Sequence, residues 1–127
     1  MKTWRPATRN FLVWNRSRGT AIAEQARLAH TPRDRRMGLL GQAALPPGGG
    51  LWIVPTQAIH TFWMRFPIDV VFLDRQLRVQ RLYHHLAPFR LTRLVLGARS
   101  VLELPSGVLR RSGTTVGDEL QFSLREI

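Results

Sequence analysis

Residues 60–74 read His-Thr-Phe-Trp-Met-Arg-Phe-Pro-Ile-Asp-Val-Val-Phe-Leu-Asp. The second half of this stretch, from Ile68 to Leu73, is apolar on both sides of an extended chain except at Asp69. That pattern is typical of a central strand covered on both faces. Because an unpaired carboxylate is costly to bury, we expect Asp69 to have a partner, to lie at the rim, or to serve a site. The stretch therefore predicts a sheet-based fold and indicates where a functional site should be sought.

The sequence on either side of this stretch predicts further strands. Residues 59–64 are predicted to be extended up to the break at Phe66-Pro67, and Asp74-Arg75-Gln76 is predicted to be a hairpin turn. Additional strands are predicted at residues 11–14, 20–30, 51–54, 77–86, 100–104 and 120–124. The segment 20–30 also has helix-forming residues, but a short hairpin back onto residues 11–14 favours a strand.

Two short helices are predicted between the strands. Thr31 is a good N-cap, Pro32 suits the first helical position, and Gly41 can end that helix. Ser106 is predicted to cap a second helical turn that runs through Arg111 and ends at Gly113. These elements predict a β-dominated α+β fold with a compact antiparallel or mixed sheet, or a barrel-like core. We expect one domain over residues 1–127, with residues 1–9 as a loosely ordered N-terminal segment.

Composition excludes several classes of protein and site. The 127 residues contain no cysteine, which excludes disulfides, thiolate nucleophiles and cysteine-ligated zinc or iron–sulfur sites. No apolar run approaches the roughly 20 residues that a membrane-spanning helix requires. The first ten residues lack the apolar core of a secretory signal. We therefore expect a cytoplasmic protein without a membrane span.

The chain is strongly basic. Nineteen Lys and Arg residues against eight acidic ones give a formal charge of +11, and eighteen of the nineteen are arginine. The arginines are spread along the sequence, and no signature of a known nucleic-acid-binding module accompanies them. The charge predicts non-specific binding to polyanions more strongly than it predicts specific recognition of nucleic acid.

Five stretches carry a resemblance to a known family. They are Arg35-Arg-Met-Gly-Leu-Leu-Gly41, Gly50-Leu-Trp-Ile-Val-Pro55, the quoted residues 60–74, Val101-Leu-Glu-Leu-Pro-Ser-Gly107, and Gly117-Asp118. Through them the chain resembles domain of unknown function 192, a family of bacteria and archaea, from about Phe11 to Phe122. The resemblance implies a compact, β-dominated fold with short helices and implies no established activity.

Two positions depart from the family pattern. Leu40 stands where Met is common, and Trp63 stands where members close to this version often carry Gly. We expect the extra indole of Trp63 to fill part of any cavity in that region.

Aromatic, sulfur-bearing and basic side chains near the quoted stretch are the ligand-binding candidates. They are Trp52, His60, Phe62, Trp63, Met64 and Arg65. If residues 60–64 are extended, the side chains at positions 60, 62 and 64 share one face. Aromatic side chains interleaved with arginine suit sugars, acidic peptides or phosphorylated ligands. His60 and Met64 alone make a weak metal site, so no metal and no cofactor is predicted.

Asp69 and Glu103 are the candidate functional carboxylates, since each is flanked by apolar residues on a predicted interior strand. Hydrolysis by two carboxylates would need them roughly 5–9 Å apart in an open cleft. The alternative, which we favour, is that each forms a structural ion pair, with Arg35 and Arg65 as the obvious partners.

Three functional classes follow from these residues. The favoured one is a binding or accessory module that uses an aromatic and Arg-lined groove near residues 52–69 for a small molecule, a protein or a peptide. The second is an enzyme that depends on Asp69 and Glu103, and the third is a non-specific polyanion binder. The residue pattern argues more for a binding protein than for an enzyme.

Overall fold

The structure is a computed structural model that describes residues 9–125. The predicted loose segment 1–9 therefore lies, apart from its last residue, outside the described residues. The strands are β1 (Asn10–Asn15), β2 (Thr20–Ala29), β3 (Gly49–Ile53), β4 (Ile68–Leu73), β5 (Val79–Leu86), β6 (Ser100–Pro105) and β7 (Leu120–Arg125). The helices are α1 (Pro32–Met37) and α2 (Val108–Ser112). The prediction of a β-dominated α+β fold with two short helices is confirmed.

All seven strands form one mixed sheet in the order β5-β4-β6-β3-β2-β1-β7. Only β2 and β3 pair in parallel, while the other neighbours are antiparallel. The sheet curls so that its two edges approach one another without closing. Where they meet, the Val79 N–H donates to the Asp118 carbonyl at 2.8 Å and the Gly117 N–H donates to the Val79 carbonyl at 2.8 Å.

The curled sheet has an apolar core on each face. Val71 and Leu73 of β4 join the core that α2 covers, whereas Val70 and Phe72 join the core on the other face. The alternation arises because successive strand residues point to opposite sides. Every residue of β4 is buried, as predicted for a strand covered on both faces.

Helix α1 begins as predicted and ends early. The Thr31 hydroxyl accepts a hydrogen bond from the Asp34 N–H at 3.0 Å, and Pro32 occupies the first turn. The helix ends at Gly38, whose φ of +47° leaves the helical region, and not at Gly41 as predicted. Because glycine adopts positive φ without a steric penalty, Gly38 stops the helix three residues sooner.

Residues 59–64 do not form the predicted strand. Only His60 pairs, through an isolated antiparallel bridge to Leu91. The chain then turns, because the Thr61 carbonyl accepts the Met64 N–H at 3.2 Å and Trp63 adopts a φ of +66°. The expected shared face of residues 60, 62 and 64 is therefore wrong: Met64 is buried, whereas His60 and Phe62 are exposed.

Candidate functional site

A cavity of about 150 Å³ opens beside α1 on the second face of the sheet. It lies between the turn that follows α1, the loop after β3, and β6. Its walls include Leu39, Ile53, Ile59, His60 and Met64, with Glu103 of β6 among them. Arg35 and Arg36 also line it. The site therefore combines apolar walls, a buried carboxyl group and two guanidinium-bearing residues.

Glu103 is the unusual group of this cavity. Its side chain is 3% exposed, and across residues 9–125 it makes no hydrogen bond or ion pair. Burial raises the pKa of Glu103 to about 8 because the charged form is poorly solvated there. At neutral pH the carboxyl group is therefore mostly protonated, so it can donate one hydrogen bond and accept others.

The sheet register determines where Glu103 points. Glu103 lies opposite Leu51 of β3 and Val70 of β4, two residues of the core beside α1. Both neighbouring strands are therefore in place to hold its backbone, while its side chain shares the face that bears the cavity. A group on a central strand between two paired neighbours is held rigidly, as a binding site requires.

Asp69 has a structural role that differs from the predicted ion pair. One carboxylate oxygen accepts the His85 N–H at 2.9 Å, and the other accepts the N–H groups of Gly107 and Leu109 at 3.0 and 2.9 Å. Asp69 thus supplies the N-terminal cap of α2, for which Ser106 was predicted. Orphan N–H groups at a helix start are available donors, so no arginine is needed.

The surroundings of the two carboxyl groups differ from the predicted ion pairs with Arg35 and Arg65. Asp69 lies opposite Leu104 in the ladder, whereas Val70 lies opposite Glu103, so Asp69 and Glu103 point to opposite faces of the sheet. They cannot act together in one cleft. The structure instead places Asp69 against main-chain donors and Glu103 toward the cavity.

Only two of the six predicted ligand-binding side chains line the cavity, namely His60 and Met64. Trp52 lies in the other core, where it stacks on Phe122 with ring centroids 4.0 Å apart. Phe62 stacks on His60 at 5.1 Å and remains exposed. Arg65 is exposed in the turn beyond. The structure therefore does not bring the six side chains together: they divide between a core, a cavity wall and the surface.

Trp63 does not fill the cavity, contrary to expectation. Its side chain is 75% exposed, and its ring meets the Phe89 ring edge to face at a centroid distance of 5.2 Å. Its φ of +66° is one that glycine adopts freely and a bulky side chain rarely does. The same backbone therefore suits the Gly that the family resemblance leads us to expect at this position.

Sequence reasoning overlooked the apolar walls of the cavity and one polar cluster. In the sequence, Leu39, Ile53 and Ile59 resemble ordinary core residues. The one signal that could have identified them is their position within or next to the family stretches. His85 Nδ1 lies 2.5 Å from the Ser106 hydroxyl near Asp69. This is not a relay of three side chains, since Asp69 binds the main-chain N–H of His85 and not its imidazole.

Over residues 9–125 no group of three or more His, Asp or Glu side chains could hold a metal ion. In the same part of the chain, no helix has the length and apolar character to cross a membrane.

Comparison with known proteins identifies relatives of unknown function. A UPF0127 protein of Thermococcus sibiricus (strain DSM 12597 / MM 739) is 29% identical over 123 residues, which cover 91% of this chain and 77% of the relative. A protein of unknown function from Novosphingobium aromaticivorans DSM 12444 shares the fold with a TM-score of 0.76, 20% identity and coverage of 88% and 83% of the two chains.

A second solved structure, a candidate transcription regulator from Sinorhizobium meliloti 1021, also has a TM-score of 0.76. It is 21% identical, over 94% of this chain and 96% of that one, a likeness that concerns the fold alone. The family model for DUF192, described as Uncharacterized ACR, matches residues 13–122. The chain is therefore a member of the DUF192 family.

Proposed function

We propose that this protein is a binding module that holds a small molecule in the cavity beside Glu103. The observation that carries the proposal is the buried carboxyl group of Glu103, which lines a cavity and has no hydrogen-bond partner among residues 9–125. Polar groups buried in proteins normally have a hydrogen-bond partner, since an unpaired one costs free energy of folding. A ligand with a donor or a positive charge would supply that partner.

The size and walls of the cavity indicate the class of ligand. A volume of about 150 Å³ matches an engineered apolar cavity that accepts a benzene-sized molecule. Leu39, Ile53 and Met64 suit a compact apolar body, and Glu103 suits a primary amine at one end. An ammonium group would form a charge-assisted hydrogen bond with the ionised carboxylate, which is stronger than the bond of a neutral alcohol.

The family stretches support the choice of this cavity. Four of the five converge on it: Arg35–Gly41 contributes the turn after α1, Gly50–Pro55 contributes Ile53, residues 60–74 contribute His60 and Met64, and Val101–Gly107 contributes Glu103. If these stretches only formed the core, there would be no reason for them to meet at one cavity. Their meeting there favours a site that the family shares.

The test is a binding panel of small primary amines and alcohols of matched size, measured by thermal shift and calorimetry at pH 6.5 and 8.5. We expect an amine to bind, with higher affinity at the higher pH because Glu103 must lose its proton to pair with an ammonium ion. Glu103→Gln should weaken that binding roughly tenfold or more, in proportion to the loss of a charge-assisted bond.

Glu24→Gln is the matched control, because Glu24 is an exposed carboxylate on β2 and its change should leave binding unaltered. Equal amine binding by Glu103→Gln and the parent would contradict the proposed contact. Failure of the whole panel to bind at either pH would contradict the proposed ligand class.

A further inference from the structure

Two loops pair with each other and form an element that we call the ridge and define as residues 59–66 and 87–96. They run side by side: the Thr61 N–H donates to the Arg90 carbonyl at 2.8 Å, the Phe89 N–H to the Thr61 carbonyl at 2.9 Å, and the Thr92 N–H to the Ile59 carbonyl at 3.0 Å. The ridge is therefore a built element and not a pair of independent loops.

The ridge concentrates the exposed apolar side chains of the protein. Of the eleven large hydrophobic residues exposed within residues 9–125, six lie on this element. They are Phe62, Trp63, Phe89, Leu91, Leu94 and Leu96, with exposed fractions from 39% to 77%. Scattered exposed apolar residues are ordinary, but a concentration on one element marks an interaction surface.

Two of these residues have an unfavourable backbone conformation. Trp63 and Phe89 have φ values of +66° and +62°, and their rings meet edge to face at the outside of the ridge. Positive φ is rare for bulky side chains, and such conformations cluster where function requires them. The loops thus hold two aromatic rings in solvent at the expense of backbone strain.

The charge of the ridge is of one sign. Arg65, Arg90 and Arg93 are exposed on it, and it contains no Asp or Glu. The sequence around it is equally free of acids, since none occurs within residues 35–68 or 75–102. A matching partner therefore offers negative charge to the arginines and an apolar layer beneath it to the exposed aromatic and leucine side chains.

We propose that the ridge docks on an anionic lipid surface, with Trp63 and Phe89 at the level of the headgroups. Trp is favoured at that depth because its ring is amphipathic, and nearby arginines attract anionic lipids. A peptide partner is less suited, because peptide recognition uses a groove or an exposed strand edge, whereas these side chains stand on the outside of two loops. The inference is independent of the Glu103 cavity.

The experiment is flotation of the full chain with vesicles of phosphatidylcholine alone or with roughly one-third phosphatidylglycerol. We expect binding to the anionic vesicles only, and weaker binding when salt rises from about 0.15 M to about 0.5 M. The double change Trp63→Asn, Phe89→Asn should reduce the partition coefficient at least tenfold. Asn tolerates positive φ, so the ridge should keep its backbone and the melting temperature should not fall.

Matched variants separate lipid docking from simple charge attraction. Trp14→Thr removes an exposed indole from β1 and should bind as the parent does. Arg90→Gln, Arg93→Gln should bind more weakly than Arg110→Gln, Arg111→Gln, which removes the same charge from α2. Undiminished binding by the Asn double variant would overturn the proposal and indicate a polyanion binder. Lack of binding by the parent would overturn it as well.

Discussion

Asp69 and Glu103 are carboxyl groups buried on adjacent strands, and their surroundings are opposite. Asp69 accepts three main-chain N–H groups from two separate segments, which keeps a charged carboxylate solvated by the protein. Among residues 9–125 Glu103 has no such donors, and its raised pKa leaves the carboxyl group mostly neutral at pH 7. The first residue therefore has an architectural role, and the second is the residue on which the proposed binding site depends.

Asp69→Asn tests the architectural role. An amide has only one acceptor oxygen, so its NH₂ group must face at least one of the N–H groups of His85, Gly107 and Leu109. We expect the free energy of unfolding to fall by about 2–4 kcal/mol, as for a lost charged hydrogen bond and an unpaired donor. Urea unfolding measures it, with Glu24→Gln as control, and a change below about 0.5 kcal/mol would contradict the capping role.

At the scale of elements, the ridge depends on two buried hydroxyl groups. The Thr61 hydroxyl donates to the Ala87 carbonyl at 2.7 Å and accepts the Arg90 N–H at 2.9 Å. The Thr92 hydroxyl accepts the Ile59 N–H at 2.9 Å. These two side chains hold the loops together by hydrogen bonds in a region where no regular strands pair.

Thr61→Val should loosen the ridge, because valine keeps the shape of threonine but leaves the Arg90 N–H and the Ala87 carbonyl unpaired. We expect a loss of about 1–3 kcal/mol of stability and faster hydrogen exchange at the amides of Phe89 and Arg90. Amides of β4 should be affected only through global unfolding. Thr115→Val, at an exposed position, is the control; similar exchange in both variants would contradict this role.

At the scale of the whole molecule, the shifted pKa values of Asp118 and Glu103 make stability depend on pH in opposite directions. The side chain of Asp118 is buried, which alone would raise its pKa, but hydrogen bonds from Asn15, Thr115 and Arg18 lower it overall. The stability that Asp118 contributes is present above the ordinary pKa of Asp and is lost as pH falls through the lowered pKa of the folded state. Glu103 has the opposite sign: because its folded pKa is raised, stability declines as pH rises from about 4.5 to about 8.

Glu103→Gln should therefore flatten the alkaline side of the stability profile. Relative to the parent, the variant should gain on the order of 1 kcal/mol for each pH unit between about 4.5 and about 8. Below that range the difference should be constant. Melting temperatures of the parent and the variant from about pH 4 to about pH 9 measure this difference in stability. A difference that does not change with pH would contradict the raised pKa of Glu103.

Sequence patterns predicted those elements whose residues carry their own structural signal. The apolar run 68–73 predicted β4, and Thr31 with Pro32 predicted the start of α1. The same reasoning failed at residues 59–64, where β-branched and aromatic residues favour a strand by composition. That turn is held by Thr61 and Arg90, which are 29 positions apart, and no local pattern reports such contacts.

The candidate site was predicted only in part for a similar reason. Glu103, His60 and Met64 stood out by residue type, but the cavity between them depends on how the turn after α1 packs on the sheet. The partners of Asp69 are main-chain groups 16 to 40 positions away, and a backbone N–H leaves no trace in the sequence.

The order of strands has a consequence for biosynthesis. β1 lies between β2 and β7, pairing with Leu120–Arg125 along its whole length, and Asn15 bonds to Asp118 across 103 positions. A growing chain emerging from the ribosome can form the hairpin of β1 and β2 early, but one side of β1 stays bare until β7 has been made. Such distant pairings slow folding and leave an unpaired strand edge open to other chains. Nascent or truncated chains without β7 should therefore be the form of this protein that chaperones bind and that aggregates.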